Sequence, residues 1–169
     1  MPASQKSSSS DKTAAKGGGT DAIALLKQDH REVEELFSKF EATGGEKTKA
    51  KLAAQICLEL KVHTQIEEEI FYPRSREEEV EGDLVDEAVV EHQAAKRLIA
   101  EIEAGDPGDE MWEAKVKVLK EMVEHHVQEE EKELFPEAKK AGMDMQAIGA
   151  RLAERKAELT AQMKAQAQA

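Results

Sequence analysis

A chain of 169 residues can bury a sizeable core, and its net charge of −12 repels nucleic-acid phosphates and anionic membrane surfaces alike. No apolar run approaches the roughly 18 residues of a membrane span, and no apolar signal-peptide core precedes the patterned part, so a cytoplasmic location is expected. With 36% charged and 4% aromatic residues, four prolines and much Ala, Glu, Lys and Leu, the composition reads as helical.

Residues 1–19 (MPASQKSSSSDKTAAKGGG) have no apolar periodicity and read as a disordered tail. Thr20 and Asp21 offer a helix cap. The first patterned segment runs Ile23, Leu26, His30, Val33, Phe37, Phe40 and stops at Gly44-Gly45. The second runs Leu52, Ile56, Leu60, His63, Glu67, Ile70 and is expected to end near Pro73. The third runs Val85, Ala88, His92, Ala95, Ile99, Ile102 and ends at Gly105-Asp106-Pro107-Gly108. The fourth runs Trp112, Val116, Leu119, Val123, His126, Glu130, Leu134, with Pro136 marking its end or a kink. Spacings of three and four keep each set on one inward stripe. The expected fold is all-α: an up-down-up-down antiparallel four-helix bundle over residues 20–141, with a C-terminal helix within 142–169. That helix, from about Asp144 to Met163, is less sharply patterned and is expected to pack outside the bundle or trail away. Cys57, the single cysteine, reads as a small buried hydrophobe. Phe37, Phe40, Phe71, Phe135, Trp112 and Met111, Met122, Met143 and Met145 read as core or as the apolar ends of the bundle.

Each of the four stripes carries one histidine, and two glutamates follow one turn after a histidine. His30 to His63 is 33 residues and His92 to His126 is 34. In both halves an acid precedes the first histidine (Asp29, Glu91), and the second opens His-x-x-x-Glu with proline ten residues on. Two similar hairpins related by an approximate two-fold axis would bring equivalent half-sites face to face.

One histidine on an apolar stripe is usually a core residue with a hydrogen-bond partner. Four of them sharing a core with two carboxylates would cost several kcal/mol of desolvation unless a cation compensates. Imidazole and carboxylate suit iron, zinc or manganese. Residues i and i+4 differ by about 40° and lie roughly 6 Å apart along a helix, so His63 with Glu67 and His126 with Glu130 can converge on one cluster. Glu68, Glu69, Glu129 and Glu131 turn away from the stripe and read as a solvated face.

The order His, His-x-x-x-Glu, His, His-x-x-x-Glu, with FYP or LFP closing each half, resembles the hemerythrin-like (HHE cation-binding) family over residues 20 to 140. The resemblance implies a four-helix bundle with an oxo-bridged di-iron centre. Carried over by position, His30 and His63 would hold one iron, His92 and His126 the other, with Glu67 and Glu130 bridging. Oxygen carriers of the family have a fifth histidine where this chain has Lys96, and place a bridging carboxylate where it has Glu131. The missing imidazole opens a coordination position and points away from reversible oxygen carriage. His125 flanks the stripe and could support a carboxylate behind the ligands. Glu34 and Lys96, each one turn after the first histidine of its half, read either as ordinary flank residues or as a charged lid or pair beside the site. The functional expectation is a metal protein that binds or reacts with oxygen, peroxide or nitric oxide. Alternatives are a peroxide-dismuting enzyme, an iron- or redox-responsive sensor with an unidentified protein partner, and a structural zinc bundle. No catalytic side chain of its own is expected.

Overall fold

The computed structural model describes residues 20–169; the expected disordered tail lies outside the described residues. The first helix, α1 (Ala22–Ala42), begins where the Asp21 carboxylate accepts the Ala24 N–H at 2.8 Å. It stops before the Gly44-Gly45 pair. The next rod starts as α2 (Glu46–Ile66), widens into a π turn (π1, Glu67–Phe71) and continues as α3 (Tyr72–Glu77). Then come α4 (Gly82–Ala104) and α5 (Glu110–Glu129), the latter capped by Asp109. A second π turn (π2, Glu130–Leu134) carries the chain into α6 (Phe135–Lys140). Gly142, in the left-handed region at φ +78°, turns the chain towards α7 (Met145–Ala167), whose Asp144 cap accepts the Ala147 N–H.

Sequential rods pack as antiparallel neighbours, α1 on α2, α2 on α4 and α4 on α5, which gives the up-down-up-down bundle. The fifth rod, α7, lies along α1, α2 and π1. It does not trail away: Ile148, Leu152 and Leu159 are buried with the bundle's own apolar residues. Gly149 lets it approach closely, since a Cβ there would stand 2.2 Å from the Thr20 carbonyl oxygen.

Pro73, expected near a helix end, does not end its helix, and neither does Pro136, expected as an end or a kink. Proline lacks an N–H, and its ring clashes with the carbonyl four residues back. A π turn shifts that carbonyl, so Pro73 and Pro136 follow the two π turns directly and the helices run on to Glu77 and Lys140.

The interior is divided. One apolar cluster contains Leu26, Ile66, Phe71, Val85, Leu134 and Leu152; the other contains Phe37, Ile56, Leu60, Ile99, Trp112 and Leu119. Each stripe crosses from one cluster to the other at its histidine. Trp112 closes the α4–α5 corner by donating its indole N–H to the Ile102 carbonyl at 3.0 Å. Met111, read as core or as an apolar end of the bundle, is 62% exposed in the first turn of α5, one residue off the stripe that Trp112 occupies. Cys57 is buried, and burial together with the nearby Glu103 charge pushes its thiol up to about 12, which keeps it protonated and inert.

Candidate metal centre

Between the two apolar clusters lies one polar layer made of the buried side chains His30, His63, Glu67, His92, His126 and Glu130. One histidine comes from each of α1, α2, α4 and α5; each glutamate opens a π turn. Glu67 Oε1 stands 2.8 Å from His63 Nε2 and 3.4 Å from His92 Nε2. Glu130 Oε1 stands 3.1 Å from His30 Nε2, and its Oε2 stands 3.4 Å from His126 Nε2. Each carboxylate thus reaches histidines of both halves. His92 Nε2 and His126 Nε2 face each other at 3.2 Å.

These approaches are short but are not hydrogen bonds. His30 Nε2, His63 Nε2, both Glu67 oxygens and Glu130 Oε1 are buried and lack a hydrogen-bond partner. Orphaned buried polar atoms are rare, and five from one layer aimed at each other fit a shared electrophile. Within the layer two groups bring their ligand atoms within 4.8 Å of one another, His30, His63 and Glu130, and then Glu67, His92 and His126; a third, Glu91, His125 and Glu129, lies outside the layer and is partly exposed. The donor set of imidazole nitrogen and carboxylate oxygen suits a transition-metal cation such as iron, zinc or manganese.

The outward nitrogen of every imidazole meets an acid. His63 Nδ1 lies 3.0 Å from Asp29, His30 Nδ1 3.3 Å from Glu131, His126 Nδ1 3.4 Å from Glu91 and His92 Nδ1 3.5 Å from Glu68. A carboxylate there favours the Nδ1–H tautomer and leaves Nε2 free to ligate. Cationic groups brace the acids in turn. Lys156 of α7 meets Asp29 at 2.5 Å, Arg31 donates to Glu131 at 2.7 Å and Lys96 pairs with Glu68. His125 Nε2 lies 3.8 Å from Glu91.

Several expectations change. Glu68 and Glu131 are only partly exposed, at 25% and 19%: each is the residue after a layer glutamate and lies against a histidine of the other half. Glu34 and Lys96 do not pair, because Glu34 takes Arg31 at 2.8 Å and Lys96 takes Glu68. Glu69 binds Arg155 of α7. His125 sits outside the layer with its side chain 66% exposed, 3.1 Å from Glu129. Tyr72 was not singled out by the sequence, yet its buried hydroxyl donates to Glu130 Oε2 at 2.7 Å and lies 3.2 Å from His92 Nε2. Burial and then the Glu130 and Glu67 charges raise it well above the usual phenol range, so it remains a donor. The equivalent residue of the second half, Phe135, stacks on His30 with rings 5° apart in plane.

A family model described as Hemerythrin HHE cation binding domain matches residues 21–138. The chain is 32% identical over 111 residues to a DNA nickase from Nostoc sp., covering 66% of this chain but only 31% of that protein. It also shares its fold with the crystal structure of a Hemerythrin HHE cation binding domain-containing protein from Mycobacterium kansasii. That match has TM-score 0.73 and 21% identity, and covers 85% of this chain and 89% of the other.

Proposed function

Because this chain belongs to the hemerythrin HHE cation-binding domain family, we propose that its buried layer holds two iron ions that bind or react with oxygen, peroxide or nitric oxide. The observation that carries this reading is the set of partnerless buried donors of His30, His63, Glu67 and Glu130, which converge with the His92 and His126 nitrogens in one layer. His30 and His63 would hold one ion, His92 and His126 the other. Glu67 and Glu130 would bridge, since each already reaches both histidine pairs. When bound, the ions supply electrons and an open position for a small ligand.

The protein's own part is preparation. The four outer acids fix the imidazoles as Nε2 ligands. Tyr72 donates to Glu130 and so limits how that carboxylate can turn. Apolar clusters above and below the layer keep bulk water away, which strengthens every charge interaction inside it. DNA chemistry is not carried over from the Nostoc relative, because this chain spans 31% of that protein and its net charge of −12 opposes phosphate.

Metal analysis and an optical spectrum of protein from iron-replete cells test the reading: about two irons per chain with near-ultraviolet oxo-bridge bands are expected. His63→Ala and His126→Ala should lose metal, whereas His125→Ala keeps it. Equal loss in all three variants would mean that the ligand set is wrong. Sustained oxygen evolution from hydrogen peroxide would favour dismutation over binding.

A further inference from the structure

The histidine layer has two unlike sides. Glu67, Glu130 and Tyr72 close one of them. On the other lies a cavity of about 250 Å³. All four layer histidines line it, while Glu67, Glu130 and Tyr72 do not, so it is not the cradle between the carboxylates. Its walls are otherwise largely apolar, supplied by Val33, Leu60, Ala95, Met122, Val123 and Val127. It reaches the surface beside Val90, an apolar side chain left 62% exposed at the rim.

The volume decides what fits. A single water needs only about 10–15 Å³ of such space, so a diatomic gas or hydrogen peroxide would leave most of the cavity empty. An apolar cavity of about 150 Å³ engineered in another protein stays dry and takes up benzene. This one therefore admits a body somewhat larger than benzene. No lysine or arginine lines it, and Asp29 and Glu91 oppose an anion. The lining imidazoles of the layer already face carboxylates of the protein, so a neutral occupant is favoured over an anion.

We propose that the cavity binds a neutral apolar organic molecule somewhat larger than benzene, and that the oxidant consumed at this site is an organic hydroperoxide whose hydrocarbon body fills it. The second clause rests on the di-iron reading; the first does not. Two ferrous ions held by the six layer residues would supply the two electrons needed to cleave the peroxide O–O bond, ending as ferric ions. Two protons from water complete an alcohol and a water molecule.

Two measurements test this on the full chain. Cumyl alcohol, the unreactive product analogue of cumene hydroperoxide, should bind the metal-free protein saturably at one site by calorimetry. Ala95→Phe, which fills the cavity, should weaken that binding by about tenfold or more with helix content unchanged. With iron-loaded protein, Ala95→Phe should slow oxidation of the ferrous centre by cumene hydroperoxide about tenfold and leave hydrogen peroxide within about twofold. Val123→Phe serves if Ala95→Phe does not fold. Absence of saturable cumyl alcohol binding to the unaltered protein overturns the proposal, as does equal slowing of both oxidants. Protein that takes up no iron but still binds cumyl alcohol would refute the metal reading and leave the cavity assignment standing.

Discussion

Each imidazole of the layer is held between an inward carboxylate and an outward one, and for His63, His92 and His126 this raises the proton affinity. In the metal-free protein burial pushes His126 down, but Glu130 and Glu91 outweigh it and carry the imidazolium up to about 10. Burial also opposes His63, yet Glu67 and Asp29 raise it well above 6.5; His92 is raised by Glu67 and Glu68 in the same way. Glu130 falls well below 4.5 because His126 outweighs its burial, and Asp29 falls below 3.8 through His63 and Lys156. The His92 imidazole, 3.5 Å away, and the Lys96 ammonium lower Glu68 to about 2 against its partial burial. A raised histidine stabilises the fold fully below 6.5 and loses that contribution as pH climbs towards its folded value, about 10 for His126. A depressed carboxylate stabilises above 4.5 and loses its contribution as pH falls through its folded value. Metal-free protein should therefore melt highest between about pH 4.5 and 6.5 and lower near pH 9, in thermal scans. Bound cations replace the protons, so iron uptake should release protons and strengthen with pH over the same alkaline range. A metal-free melting temperature that rises from pH 6 to 9 would contradict this account. Tyr72→Phe leaves Glu130 Oε2 without its donor, which should cost the metal-free protein about 1–3 kcal/mol in urea unfolding.

Element geometry explains which parts of the site were legible in the sequence. The spacing of His30, His63, His92 and His126 with Glu67 and Glu130 follows from regular helix, and those six residues do meet in one layer. The π turns obey another period. In an unbroken α-helix, a residue five positions after Glu67 lies about 140° away around the axis. The π turn closes Tyr72 N–H onto the Glu67 carbonyl, five residues back, and returns Tyr72 to the layer. The proline after Tyr72 was a visible clue to this, but it reads as a boundary unless a widened turn is allowed. Glu68 and Glu131 were missed for a different reason: a residue off the inward stripe can still reach the back of a histidine on the neighbouring helix. The C-terminal helix gave the weakest pattern because little of it is buried, yet it delivers Lys156 to Asp29 and Arg155 to Glu69. Lys156→Ala should reduce cation affinity at the His30–His63 half more than at the His92–His126 half, read by stepwise cobalt titration; equal losses would deny α7 this role. Gly149→Ala would press a methyl into the Thr20 and Ala22 backbone, which cannot retreat as a side chain could. A loss of about 1–3 kcal/mol in denaturant unfolding is expected, with metal stoichiometry preserved.

At the scale of the molecule, two apolar clusters clamp a charged layer that neither could tolerate without a counter-charge. Protons serve that purpose in the metal-free state, and cations would do so better. A chelator should therefore lower the melting temperature, by an amount that grows with the free-metal concentration from which the comparison starts. No helix among the described residues is long and apolar enough to cross a membrane. The bundle's two sides also divide its traffic. The Nδ1 atoms of His30 and His92 look outward to Glu131 and Glu68, whose side chains are 19% and 25% exposed and stand apart from the lining of the apolar cavity. Hydrogen ions displaced by an arriving cation can leave through this wet rim, and a greasy reactant can enter without meeting them. At those two rings, exit and entrance do not compete for one doorway.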